Sequence, residues 1–237
     1  MAVGYITEQN LQIARGLVRG ATHIHKFGYN TAVGNIYEDI WSQGGKITFP
    51  TTAAVATIDS NLSNVGSQIT IQGLDANWNE ISEDVTLDSS GDATTTASFI
   101  RINRAFVSND TATTNVVRIQ IGGVNQARID VEHQQTMQAI YSVPANKIAY
   151  LTQLSLGVKT KDKDVEARVN VCEYGGVERT RDYLTFQSNF SEKHYPIPLK
   201  FPEKSDIKLQ AKITGADTTI SGTFDLILLD NPRTMQV

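Results

Sequence analysis

Apolar and polar residues alternate with a period of two over most of the chain. Ile81, Glu83, Val85 and Leu87 alternate with Ser82, Asp84 and Thr86, and Val117, Ile119 and Ile121 alternate up to Gly122-Gly123. Ala127, Ile129 and Val131 follow in the same style. Successive side chains of a strand point to opposite faces, so each run predicts a strand with one buried side. Residues 68–71 predict a short strand closed by Gly73, and residues 99–107 a longer one with Ile100, Ile102 and Phe106 on one face. Farther on, residues 137–143 predict a strand ended by Pro144. Ile148, Tyr150, Thr152, Leu154, Leu156 and Val158 then share one parity. Val165, Ala167, Val169 and Val171 lead into a Gly175-Gly176 hairpin turn. Tyr195, Ile197, Leu199 and Phe201 alternate with Pro196 and Pro198, which places that strand at a sheet edge, since neither proline can donate to a ladder. Ile207, Leu209, Ala211 and Ile213 alternate strictly, and Phe224, Leu226 and Leu228 end the pattern.

Residues 1–50 read differently. A short helix is expected over residues 7–18, with Thr7 as its cap, Glu8 in the first turn, and Leu11, Ala14, Leu17 and Val18 on one face. Asn10 stands where a reciprocal capping box would need Glu or Gln, and Gly16 and Gly20 weaken the helix. Aromatic and β-branched residues then follow without a sustained period, spaced by Gly and Asn. Such a segment needs a surface to bury against, either its own chain or a neighbour. The expectation is an all-β protein: an N-terminal arm with a short helix (residues 1–50) and two β-sandwiches (residues 51–132 and 133–237), the second resembling a jelly roll. No Pro/Gly linker marks the join near His133–Gln135, so the sandwiches are expected in close contact. No period of 20 to 50 residues repeats, which argues against solenoids and propellers.

Composition supports the pattern. The 237 residues include 25 Thr, 15 Ser and 15 Asn, while charged residues are only 19%. Thr fits a half-buried pleated face better than a helix interior. The net charge of −4 leaves no basic stripe, so neither nucleic acid nor anionic membrane is an expected partner. Cys172 is the only cysteine, which excludes an intrachain disulfide and a cysteine-pair zinc site. No apolar run reaches 18 residues, and the first ten carry no secretory pattern.

The search for chemistry gives few candidates. The phosphate-loop, dinucleotide, nucleophile-elbow and H-E-x-x-H motifs are all missing. His23 and His25 would point the same way on a strand and could grip one metal, but no third ligand is identifiable. Asp162, Asp164 and Glu166 could face one Ca²⁺, although interleaved lysines favour a solvated hairpin tip. Glu80, Glu83 and Asp84 near Trp78 suggest a glycosidase pair, but Glu83 shares the parity of Ile81 and Asp84 faces away. Cys172 is expected to be a small buried residue rather than a nucleophile. The expectation is therefore a non-enzyme with no cofactor and no metal.

Several stretches resemble a known group of proteins. Lys26-Phe27-Gly28-Tyr29-Asn30, Val33-Gly34, Glu38-Asp39-Ile40-Trp41 and Gly44-Gly45 make the first. Gly73-Leu74-Asp75-Ala76, Glu83, Val85 and residues 99–105 make the second, and residues 137–145 with Lys147 and Tyr150-Leu151 the third. Together they resemble structural proteins of tailed bacteriophages, many from marine and cyanobacterial hosts. The resemblance implies a virion component made in the host cytoplasm. Its leading role is a capsid decoration (cement) protein on the capsid surface, with the major capsid protein and its own copies, as a homotrimer, for partners. Phe27, Tyr29, Ile36, Tyr37 and Trp41 are the expected interface anchors, several being residue types that often carry interface energy. A neck, tail or fibre-attachment protein of the same virion is the second reading. A carbohydrate-binding module, with Trp78 as its sugar platform, is the third.

Overall fold

The computed structural model describes residues 11–60, 62–187 and 189–231, and the chain is all-β. Sixteen strands follow in order: β1 (Ala21–Val33), β2 (Glu38–Asp39), β3 (Ala54–Asp59), β4 (Gln68–Leu74), β5 (Glu80–Thr86), β6 (Ala93–Phe99), β7 (Arg101–Val107), β8 (Val117–Ile121), β9 (Val124–Ile129), β10 (Ile140–Ser142), β11 (Lys147–Val158), β12 (Val165–Cys172), β13 (Glu178–Phe186), β14 (Phe190–Phe201), β15 (Asp206–Ile213) and β16 (Thr218–Asp230). Two large, separate cores form among the described residues. One collects Ala56, Ile58, Ile69, Ile71, Phe99, Ile119 and Ile129 among others. The other collects Val33, Ile40, Leu151, Leu154, Val169, Phe201, Leu209, Phe224 and Leu226 among others.

The larger sandwich has jelly-roll-like topology. Its two sheets run β1-β16-β11-β14 and β10-β15-β12-β13, with β2 added against β15. Numbering its eight main strands along the chain, these orders are 1-8-3-6 and 2-7-4-5, the interleaved antiparallel arrangement of two Greek keys. β1 and β14 end one path and β10 and β13 the other, so the two-proline strand β14 sits where its missing donors predict.

The first strand of this jelly roll comes from the segment expected to be an arm. β1 pairs antiparallel with β16 from Ala21↔Leu229 to Val33↔Thr218. The arm reading of residues 1–50 is thereby corrected for residues 21–33, and Val33 and Ile40 lie in the C-terminal core. The physical reason is that β1 has the needed alternation, but Lys26, Gly28 and Asn30 occupy its buried positions and hide it from a hydrophobicity pattern. Gly28 has to be small: a Cβ there would lie 2.6 Å from both Ala139 N and Ile40 O, two atoms hydrogen-bonded to each other.

The smaller sandwich is an insertion. Its sheets run β6-β3-β8-β9 and β5-β4-β7, all from residues 54–129. The chain leaves and re-enters the jelly roll at neighbouring points. Trp41 bridges Gln138, and Ser42 N donates to Met137 O at 3.0 Å. Sequence reading joined Phe99 to Val107 in one strand, but Phe99 closes β6, and β7 starts afresh at Arg101. Strands β3 and β6 went unread, because Ala and Thr take many of their inward positions, Ala54 and Ala56 in β3 and Ala93, Thr95 and Ala97 in β6.

The N-terminal helix also ends earlier than expected. Residues 11–14 are helical, and Gly16, at φ 71°, ends the helix before Leu17 and Val18 can join it. Ile13 is the buried residue of this turn, while Leu11 and Leu17 are exposed. Thr7, Glu8 and Asn10 lie outside the described residues.

Candidate functional site

The five expected anchors have different fates. Trp41 is buried, its indole Nε1 donating to Gly45 O, in a small cluster with Ile47, Ile140 and Phe49. Tyr37 donates to Glu166 Oε2 at 2.9 Å, and the Arg168 guanidinium stacks 3.9 Å over its ring. Tyr29 donates to Asp130 Oδ2 at 2.8 Å and meets the His133 ring edge-on. Phe27 is half-buried beside the His25 ring. Ile36 is the exposed one of the five, at 64%. Trp41 as an anchor is thus corrected: its ring is consumed inside the fold.

The two sandwiches meet across β7, β10 and β15. Arg101 of β7 is the bolt. Its Nε and Nη2 donate to the two carboxylate oxygens of Asp206 on β15, at 2.8 and 2.9 Å, and its Nη1 donates to Pro50 O and Ile100 O. The guanidinium lies 4.4 Å from the Phe49 ring centre and 4.7 Å from that of Trp78. Asp206 also accepts from Ser142 Oγ. Trp78, only 4% exposed and at φ 68°, is fixed by the Asp75 turn, whose carboxylate accepts from the Asn77 and Asn79 amides. A buried ring cannot serve as a flat sugar platform, so that role for Trp78 is corrected.

Beside this bolt, on the β1 side of the join, a cleft of about 420 Å³ separates the sandwiches. Its walls include His25 and Lys26 of β1, Glu80 of β5, Arg104 of β7 and Tyr141 of the β10 strand. Lys26 is 8% exposed and donates to Asn103 O at 2.5 Å. Burial, helped by the nearby Arg104 charge, lowers its pKa to about 7. Tyr141 is 4% exposed, and its hydroxyl has no hydrogen-bond partner among the described residues. Burial and then the Glu80 charge push its pKa upward. Sequence reading did not single out Lys26 or Tyr141. The available signal was parity: Lys26 shares the face of Ile24 and Gly28, not that of His23, His25 and Phe27.

The remaining candidates are accounted for by local structure. His23 Nε2 and His25 Nδ1 both lie on Asp225 Oδ1, at 3.0 and 2.6 Å, so β16 supplies the carboxylate absent from the local sequence. Among the described residues no group of three or more His, Cys, Asp or Glu has metal-holding geometry. Glu166 does not join Asp162 and Asp164: hydrogen bonds from Tyr183, Lys212 and Tyr37 hold its carboxyl at about 2. Burial alone would raise Glu83. The Thr96 and Ala97 amides and the Thr96 hydroxyl outweigh it and hold the carboxyl below its ordinary value. Glu83 therefore ties β5 to β6, while Asp84 turns to Thr70 Oγ1. Cys172 is free and half-buried, and burial pushes its thiol up, away from thiolate character.

No protein-family model and no curated protein matches the chain. Among solved structures it is similar to that of the infectious bursal disease virus Gt strain, with TM-score 0.23 and 10% identity over 90% of this chain and 73% of that one. It is similar also to the T=1 particles derived from infectious bursal virus, with TM-score 0.26 and 7% identity over 90% and 70%. A third is the PBSX exported protein XepA, with TM-score 0.20 and 9% identity over 85% and 86%.

Proposed function

We propose that the chain is a virion structural protein that acts by binding rather than by catalysis. In its most specific form it is a capsid decoration protein attached to the major capsid protein. The observation that carries this reading is the uncovered β12–β14 side of the jelly roll. Several large apolar residues there face solvent: Ile197 is 86% exposed, Val177 71% and Tyr174 69%. Ile197 is presented by a bulge. Pairing with β11 jumps from Leu199 to His194 between Leu151 and Gln153, so residues 195–198 stand opposite Thr152 alone. Pro196 and Pro198 flank it, which blocks strand pairing by the backbone but leaves the side chain rigidly offered for packing. The sequence resemblance to tailed-phage structural proteins supports the same reading.

The mechanism is mechanical. Binding energy present in the intact shell is lost when its subunits separate, so each bound copy stabilises the shell by linkage. Closed symmetric rings are the usual state of repeated surface proteins, and a trimer on local three-fold positions is the form proposed by analogy. The deciding experiment is an electron-microscopy map of the particle. Many copies over the capsid faces are expected, with Ile197→Asp reducing their occupancy. A single ring at the portal or tail would favour the neck or tail reading, and absence from the particle would end the proposal.

A further inference from the structure

The cleft between the sandwiches has a one-sided chemistry that the packing of the chain leaves unanswered. Lys26 has three ammonium protons and, among the described residues, a single acceptor, the Asn103 carbonyl. Arg104 stacks on the Phe106 ring at 4.6 Å and donates to Gln135 Oε1. Neither cation has a carboxylate partner among the described residues. The Tyr141 hydroxyl is buried with no partner at all. Buried charges are ordinarily paired and buried hydroxyls ordinarily bonded, because water is not there to replace the lost bonds. The buried Lys26 ammonium and the orphan Tyr141 hydroxyl, with the exposed Arg104 guanidinium on the same cavity, form a donor-rich wall. What complements such a wall is an acceptor-only group carrying negative charge.

We propose that this cleft is a binding site for a ligand bearing an oxyanion, a carboxylate, sulfate or phosphate, received by the Lys26 ammonium, the Tyr141 hydroxyl and the Arg104 guanidinium. The volume of about 420 Å³ fits the range of small-ligand sites and exceeds what a bare ion fills, so the anion is one end of a larger polar molecule. Glu80 is the acidic residue on the cleft wall; it is exposed and makes no ion pair with Lys26. It disfavours a second negative charge on the ligand near β5. His23 and His25, at the β1 rim, are held by Asp225 of β16.

Proton linkage follows from the same geometry. Lys26 has a lowered pKa, so near and above pH 7 part of the free protein carries it uncharged. An anion beside it favours the charged form, so binding takes up a proton and weakens as pH rises past 7. The groups facing Lys26 across the cleft are Glu80, Arg104 and Tyr141, and on its own strand His23 and His25.

The test is calorimetric titration of the full chain with inorganic phosphate, sulfate and glucuronate, at matched ionic strength against chloride, at pH 6.5 and 8.5. Saturable binding of at least one probe is expected, at least tenfold weaker in Lys26→Met, with proton uptake at pH 8.5. The arms separate the sources: preference for phosphate or sulfate marks a free anion or its ester, preference for glucuronate an acidic sugar. Tyr141→Phe keeps the ring and fold, and a loss of threefold or more is expected; it decides the matter if Lys26→Met fails to fold. No saturation by any of the three probes, or equal binding by the Tyr141→Phe and parent proteins, overturns the proposal. The outcome is independent of where the protein sits on a particle.

Discussion

The two sandwiches are built from similar strands but are closed in opposite ways. The inserted one draws every strand from residues 54–129, so all of its strand pairings close within that stretch. The jelly roll takes its first strand from residues before the insertion, and that strand pairs only with the last, β16. One sandwich is local and self-contained. The other is held shut by its two ends, and closing that long loop costs chain entropy before the β1–β16 contacts repay it.

The largest effect should come from separating these two cases. Deleting residues 1–33 removes β1, exposes the β16 edge and opens the core around Phe224 and Leu226. The expected outcome is an unfolded jelly roll beside a still-folded inserted sandwich, read as the survival of roughly the share of dispersed NMR amide signals that residues 54–129 supply. The complementary cut, replacing residues 43–136 by a two-glycine link, joins points that are already hydrogen-bonded neighbours. That variant should fold with reduced stability. If the first deletion left all signals in place, the closing role of β1 would be wrong.

The bolt between the sandwiches comes next. Arg101 and Asp206 are a bidentate, buried pair. Arg101→Ala strands the Asp206 carboxylate beside Ser142 and should cost about 3–5 kcal/mol, measured by denaturant unfolding. Arg101→Met with Asp206→Leu removes both charges and should cost clearly less than the single change. Equal losses would mean that the pair, not the uncompensated charge, sets the energy.

Gly28 tests the crowding inside the jelly roll. It pairs with Gly222 across β1 and β16, and a Cβ at Gly222 would lie 2.6 Å from Leu209 Cδ2. This pair of glycines makes room for the chain at Ile40 and Ala139 to cross. Gly28→Ala should destabilise by about 1–3 kcal/mol through overpacking, seen as a lower Tm. The same change at Gly122, with no atom within 4 Å of the added Cβ, meets no clash and isolates the cost of its positive φ of 59°.

These cases also show what the sequence could and could not reveal. Alternation in β5, β8, β12 and β15 is carried by large apolar residues on one parity, and those strands are readable directly. The Pro196 and Pro198 edge is readable too, because the missing donors are a property of the residues themselves. β1 was hidden because Lys26, Gly28 and Asn30 fill its inward positions, and their burial depends on a strand some 200 residues away. The cleft and the Arg101 bolt are products of the same long-range closure. No local window contains both Lys26 and Tyr141, or both Arg101 and Asp206.

The smallest effect belongs to the inserted sandwich alone. Glu83 accepts two backbone amides and a hydroxyl from β6, and its pKa is lowered in the folded state. For a depressed carboxyl, the folded state binds fewer protons than the unfolded one as pH falls through about 4.3. The stabilisation is therefore complete above that pH and is lost as pH falls through the lower folded value. Water screens this half-exposed group, so the loss should be under about 1 kcal/mol. Glu83→Gln keeps one oxygen acceptor for β6 but removes the charge. Its stability at pH 7 should fall slightly, and the part of the acid slope between pH 5 and 3 that belongs to Glu83 should disappear. Thermal melts of parent and variant across that range check it. Parallel curves would show that Glu83 ties β5 to β6 by shape and neutral hydrogen bonding alone. A steeper loss in the parent, confined to the transition of the inserted sandwich, would show that its edges are charge-held while the jelly roll is held by its ends.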